Sequence, residues 1–141
     1  MSALTLHYDV PGDDFTRAGE ASSDIKNKLK QMGISPDVIR NVAIATYEGE
    51  INMVIHANGG TIDAAIDAES ITLTIKDTGG GIPDVELAMQ EGYTTAQEHI
   101  RALGFGAGMG LPNMKKYTDE FNITSEVGKG TEVIMKVYLS K

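Results

Sequence analysis

The chain predicts an α+β fold, a two-layer α/β sandwich with helices on one face of a mostly antiparallel sheet. Three observations predict it. Several short runs alternate apolar and polar residues, as half-buried strands do. Two consecutive stretches in the first half carry helical spacing instead. Two later pairs of strands are joined by tight turns, giving the order βααββ, a loop-rich stretch, then αββ.

Taken in order, Leu4–Val10 alternates as a strand, and Pro11-Gly12 marks its end. Asp13 or Asp14 is placed to cap a helix that turns Phe15, Ala18, Ile25, Leu29 and Met32 toward a core, with Gly33 closing it. Ser35-Pro36 gives the favoured cap-then-proline start of a second helix, which runs to about Ala57 and stops at Asn58-Gly59-Gly60. Thr61–Ala68 and Ser70–Lys76 read as strands about an acidic turn. From Asp77 to Gly108 the chain is rich in loop formers, with short helices expected near residues 84–90 and 96–102. Gly110–Thr118 reads as a helix, and Phe121–Ser125 with Thr131–Leu139 as a closing hairpin around Val127-Gly128-Lys129-Gly130.

At 141 residues the chain is expected to be one domain, 1–141, with a single modest core. Its 41% hydrophobic content is that of a globular protein. No apolar run approaches a membrane span, and the first residues lack the basic start and apolar stretch of a signal peptide. With no cysteine, disulfides and thiolate metal sites are excluded, which suits a cytoplasmic protein. A net charge of -8 argues against nucleic-acid binding, which needs clustered Lys and Arg.

Three stretches point to chemistry. Glu48 and Asn52 stand four apart in EGEIN, about 40° from each other around a helix. With Asn41 and Ala45 they make a narrow stripe beside the apolar Ile44, Ile51 and Ile55. Glu48 and Asn52 should therefore be half-buried at a cavity, while Glu50 falls on the opposite side and is assigned to solvent. A half-buried carboxylate can act as a base, and an amide oxygen can ligate Mg²⁺. Gly49, in mid-helix, costs about 1 kcal/mol relative to alanine and implies a packing or functional reason.

Asp77 closes a strand and opens DTGGGIP. Its carboxylate, an acceptor, suits the exocyclic amine of adenine. Gly79 and Gly81 would let the backbone pass close to a flat ring, and Ile82 could pack on it. Gly104, Gly106, Gly108 and Gly110 then alternate immediately before a helix, where backbone N–H groups can bind phosphate without lysine and the segment can move as a lid. No Gly-Lys-Ser/Thr follows, so this is not a Walker A loop. Each stretch alone is weak, since Glu and Asn four apart occur on many helices and Asp-Gly turns are common. Together, in this order, they read as one nucleotide site.

With those stretches the chain resembles the GHKL superfamily, whose ATP-binding domain (the Bergerat fold) is shared by gyrase, Hsp90, histidine kinases and MutL. Glu48-x-x-x-Asn52 matches the N box, Asp77-x-Gly79-x-Gly81-Ile82 the first glycine box, and Gly106-x-Gly108-x-Gly110-Leu111 the second. Gly128-x-Gly130-Thr131 matches the last box, and the match runs over residues 36–138. The resemblance implies ATP with Mg²⁺ as cofactors. Asn52 would ligate the metal, Asp77 would bind adenine with Thr131 in support, and Gly106, Gly108, Met109, Gly110 and Leu111 would cover the phosphates.

Nearly the whole chain is further similar to the small bacterial anti-sigma factor serine kinases of the RsbW, SpoIIAB and RsbT type. PNMKKYTDEF is nearest to the RsbT pattern and His56-Ala57-Asn58 to the other two, while the stretch Tyr93–Gly104 looks longer than in RsbT. This likeness implies an ATP-dependent serine/threonine protein kinase in which Glu48 activates a substrate hydroxyl. The expected substrate is a STAS-domain antagonist protein. A sigma factor, or a PP2C-type phosphatase and stressosome, would be further partners, and homodimerisation is left open. Two other readings stay beside it: a nucleotide-dependent anti-sigma or stressosome binding module with little catalysis, and a detached histidine-kinase catalytic domain. The last lacks residues for a dimerising phosphoacceptor hairpin, since residues 1–35 are too few and His7 lies on an expected strand.

Overall fold

The chain runs through β1 (Leu4–Pro11), α1 (Glu20–Gln31), α2 (Pro36–His56), β2 (Gly59–Ile66), β3 (Ser70–Asp77), α3 (Gly110–Lys116), β4 (Glu120–Glu126) and β5 (Gly130–Tyr138). This is a computed structural model, in which residues 4–11, 19–56, 59–77, 110–126 and 128–139 are described. The five strands form one sheet in the order β1-β2-β3-β5-β4, each pair antiparallel. The fold is therefore the α+β sandwich that the alternating runs predict, and it is consistent with the GHKL-type ATP-binding fold.

Alternation decides which face is covered. Ile62, Ala64 and Ile66 of β2, Ile71, Leu73 and Ile75 of β3, and Val133, Met135 and Val137 of β5 are buried. Residues on the other face are half-buried or exposed, with His7, Asp63 and Ile134 among the exposed ones. Ile25 and Leu29 of α1, Val42 and Met53 of α2, and Leu111 and Met114 of α3 complete the core. Each such Val, Leu, Ile or Met side chain contributes about 1.5–3 kcal/mol relative to exposure.

Element boundaries shift where side chains or turns take over the backbone. Asp67 Oδ1 accepts the N–H groups of Glu69 and Ser70, both at 2.8 Å, which takes residues 67–69 out of the strands and ends β2 at Ile66. Helix α1 begins at Glu20 with Gly19 (φ 98°) as its N-cap, not at Asp13 or Asp14. Those two residues, with Phe15 and Ala18, lie outside the described residues. Met32, expected in the core, is 45% exposed. The helix has already ended there: Ile34 N–H reaches back to the Leu29 carbonyl at 3.2 Å around Gly33 (φ 76°). Ile34 thus packs against the core in place of Met32.

Helix α2 starts at Pro36, as the cap-then-proline signal predicts, and the Ile39 N–H bonds the Ser35 carbonyl at 3.0 Å. Gly49 has a packing reason for being glycine. A Cβ there would lie 2.2 Å from Ile75 Cδ1, so the missing side chain lets α2 settle directly on β3. Gly60 does the same one turn further along α2, where a Cβ would lie 2.7 Å from Met53 Sδ and 2.3 Å from the Lys76 carbonyl oxygen. The expected helices near 84–90 and 96–102 lie outside the described residues.

Candidate functional site

The close seat of α2 on the sheet fixes where its polar residues stand. Glu48 precedes Gly49, and Asn52 precedes Met53, which lies over Gly60. Gly60 is in turn the register partner of Asp77. The C-terminal half of α2 and the end of β3 therefore share one end of the sandwich. Asn41, Glu48 and Asn52 are half-buried, Ala45 and Ile51 are buried, and Ile44 is half-buried, so the polar stripe does border the core.

Glu48 sits where α2 meets α3. Burial pushes its carboxyl above the ordinary value, and a hydrogen bond donated by the Asn113 side-chain amide opposes that rise. Asn113 was missing from the sequence-derived candidates. Its signal was present in PNMKK, directly after the second glycine box, but nothing in the sequence alone sets an asparagine on α3 against Glu48.

Glu50 corrects the assignment to solvent. It is 2% exposed, and its two carboxylate oxygens accept the backbone N–H groups of Ala21 and Ser22, each at 3.2 Å. The side of α2 opposite Glu48 is covered by α1. The first turn of α1 has an N-cap, Gly19, without a side chain, so its free N–H groups take a carboxylate from the neighbouring helix. A helix-wheel argument knows only one core, and this helix is buried on two sides.

Asp77 ends β3 half-buried, and its Oδ1 accepts the Thr131 N–H of β5 at 3.3 Å. The Thr131 hydroxyl is tied to Ser125 Oγ of β4 at 2.8 Å, and Ser125 Oγ reaches the Gly130 carbonyl at 3.3 Å. The closing hairpin therefore braces the aspartate through the backbone of Thr131, with Ser125 as a further brace. Gly110 opens α3, and Leu111 is buried in the core, where it anchors that helix. Gly79, Gly81, Ile82, Gly106, Gly108 and Met109 lie outside the described residues.

Among the described residues, no helix is long and apolar enough to cross a membrane. Nor do the described residues contain a group of three or more His, Cys, Asp or Glu side chains gathered as for a metal ion.

Residues 13–137 match the family model described as "Histidine kinase-like ATPase domain". The chain is similar to the protein named "Anti-sigma F factor" in Thermoanaerobacter sp. (strain X514), 36% identical over 120 residues that span 85% of this chain and 72% of that protein. The protein of the same name in Caldanaerobacter subterraneus subsp. tengcongensis is 36% identical over 122 residues, 86% of this chain and 73% of that one. That of Geobacillus kaustophilus is 32% identical over 119 residues, 80% and 78% respectively. The order of the four boxes, the antiparallel sandwich and these likenesses agree, and the chain belongs to the histidine kinase-like ATPase domain family and, within it, to the anti-sigma factor family.

Proposed function

We propose that the chain is a single ATP-binding domain acting as an ATP- and Mg²⁺-dependent serine/threonine protein kinase of the partner-switching type. Its substrate would be a small STAS-domain antagonist protein, and its site of action the cytoplasm. The observation that carries the reading is the half-buried Glu48 carboxylate four residues before Asn52, at the end of the sandwich where Asp77 is braced by Thr131.

The residues fit the groups they would hold. Asp77, fixed by a backbone N–H, offers a carboxylate to the adenine amine. Asn52 offers a hard oxygen, and Mg²⁺ suits a site with few protein ligands because it keeps waters and nucleotide phosphates around it. Bound Mg-ATP supplies the phosphoryl group and neutralises charge as it transfers. Glu48 would accept the proton of the substrate serine hydroxyl as that oxygen bonds the γ-phosphorus and the bond to the ADP oxygen breaks. Partial burial suits the task, since a carboxyl raised above its ordinary value is a stronger base once ionised.

Calorimetric titration with ATP, with and without Mg²⁺, tests the site on wild type and Asp77→Asn. The expected result is Mg²⁺-dependent binding that the variant loses. Equal binding by the variant would remove Asp77 from the site, and no binding by wild type would sink the reading. The relatives' name, anti-sigma F factor, refers to a sigma factor and not to a kinase, which favours a second reading: a nucleotide-dependent module that holds a sigma factor or a stressosome component. A partner retained in ATP, with no phosphate transferred to any purified STAS-domain protein, would decide for it.

A further inference from the structure

We propose that Ser125 is a positioning residue for the Thr131 hydroxyl and through it sets which purine base the site takes; this rests on the reading of Asp77 as the base-binding residue. The three side chains stand in one row. Alternation puts Ile75 of β3, Val133 of β5 and Ile123 of β4 on the helix-facing side of the sheet, where they join the core. Two residues on from each, toward the same end of the sheet and on that same face, come Asp77, Thr131 and Ser125. The core face therefore changes from apolar to polar on three adjacent strands at once. On β2 the row continues as Gly60, the register partner of Asp77, with Met53 lying over it, so the polar run begins at Asp77.

Hydrogen bonds join the row end to end. Asp77 Oδ1 accepts the Thr131 N–H at 3.3 Å, Thr131 Oγ1 lies 2.8 Å from Ser125 Oγ, and Ser125 Oγ donates to the Gly130 carbonyl at 3.3 Å. A carbonyl only accepts, and a serine hydroxyl has one proton. With that proton on Gly130, the 2.8 Å contact takes the proton of Thr131. The threonine hydroxyl then turns its lone pairs outward beside the Asp77 carboxylate, so two acceptors face the base. The 6-amino group of adenine has two N–H donors to offer them. A purine with an oxygen at that position sets acceptor against acceptor, and polar groups left unpaired on binding cost affinity. Ser125 acts by holding the threonine proton, without itself meeting the base.

Calorimetry on the full chain compares Mg-ATP with Mg-ITP, whose base has an oxygen in place of the 6-amino group. Ser125→Ala releases the Thr131 proton, which is then free to turn to that oxygen. The preference for ATP over ITP should fall on the order of five- to tenfold, the usual worth of one neutral hydrogen bond, and Ser125→Thr should restore it. Ser125→Cys keeps the shape with a weaker donor and acceptor and should move the ratio the same way, which carries the test if the Ala variant does not fold. Thr131→Val removes the hydroxyl and keeps the backbone N–H to Asp77. In that background Ser125→Ala should leave the ratio unchanged, because the two residues act as one unit.

A merely structural role for Ser125 predicts equal losses for the two nucleotides, with the ratio kept. That pattern, or a ratio that shifts as much in the Thr131→Val background as in wild type, overturns the proposal. Wild type that binds ATP and ITP equally also overturns it, and leaves nucleotide binding itself standing. Wild type that binds neither overturns the ATP reading, and the role of Ser125 with it.

Discussion

Glu48 and Glu50 stand two residues apart on α2 and do opposite things. Glu48 lies half-buried against α3, with the Asn113 amide as its donor among the described residues, in a setting that raises its pKa. Glu50 is 2% exposed against α1 and accepts two backbone N–H groups. The second carboxylate is more buried and better satisfied. Burial alone does not mark a reactive group, and what separates the two is whether the partners complete the carboxylate's demand. Glu50 ends a helix. Glu48 has fewer partners among the described residues, which is what its proposed role as a base needs.

The sharpest way to break this contrast is to neutralise each in turn. Glu48→Ala and Glu48→Gln should lower phosphoryl transfer by about 10²–10⁴-fold, the usual contribution of a general base, with ATP affinity nearly intact. Equal transfer would remove the role. Their stability should go the other way. A carboxyl whose pKa rises on folding costs stability once ionised, fully so above the raised value, and the cost is gone below the ordinary value of 4.5. Near neutral pH, Glu48→Gln should thus melt at or above wild type, and the advantage should vanish in acid.

Glu50→Gln should do the reverse, keeping whatever activity exists and losing stability. An amide oxygen can satisfy part of what two carboxylate oxygens do, and its NH₂ group points a donor at donors. Leaving a buried N–H without its acceptor costs on the order of 1–3 kcal/mol, a melting shift of roughly 4–12 °C for a chain of this size. A variant that melts with wild type would mean that water replaces the cap.

Much of this was legible in the sequence, and the misses share a cause. Period-two alternation placed all five strands to within a few residues, because β2, β3 and β5 bury one face each and their apolar residues keep strict step. The stripe of Glu48 and Asn52 was legible for the same reason on a helix. Glu50 was not, because one periodic pattern describes one buried face and α2 packs on the sheet, α1 and α3. Asn113 was not, because its partner is 65 residues away in sequence and only the path of the intervening chain brings them together. Met32 failed locally, since Gly33 marks the stop but the helix already ends at Gln31, so Met32 is the C-cap and no longer follows the helical spacing.

A smaller effect tests the seat on which both glutamates depend. Gly49→Ala gains about 1 kcal/mol of helix propensity but drives a methyl into Ile75, and overpacking costs typically about 1–3 kcal/mol. The balance should be mildly destabilising. Ile75→Val removes the Cδ1 atom that the new methyl meets, so the double variant should be more stable than the two single effects added together. Strict additivity would show that α2 moves away from β3 instead, and activity should then fall with it, because Glu48 and Asn52 flank the contact.

The smallest expected effect belongs to the far face of the sheet, where carboxylates are exposed. His7 on β1 bonds Asp63 of β2 at 2.6 Å and Asp9 at 3.3 Å, and its pKa is raised, chiefly by the Asp63 hydrogen bond and then by that to Asp9. The imidazolium gains from folding, so this stabilisation is fully present below the ordinary value of 6.5 and fades as pH rises through the raised one. All three groups are open to solvent, so the gain is screened by salt and small beside that of Glu50. In an NMR titration Asp63→Asn should lower the His7 pKa more than Asp9→Asn. The reverse order would mean that the neighbour along β1, rather than the cross-strand partner, holds the ring. A melting difference as large in Asp63→Asn as in Glu50→Gln would break the contrast itself, because an exposed pair would then match a buried cap.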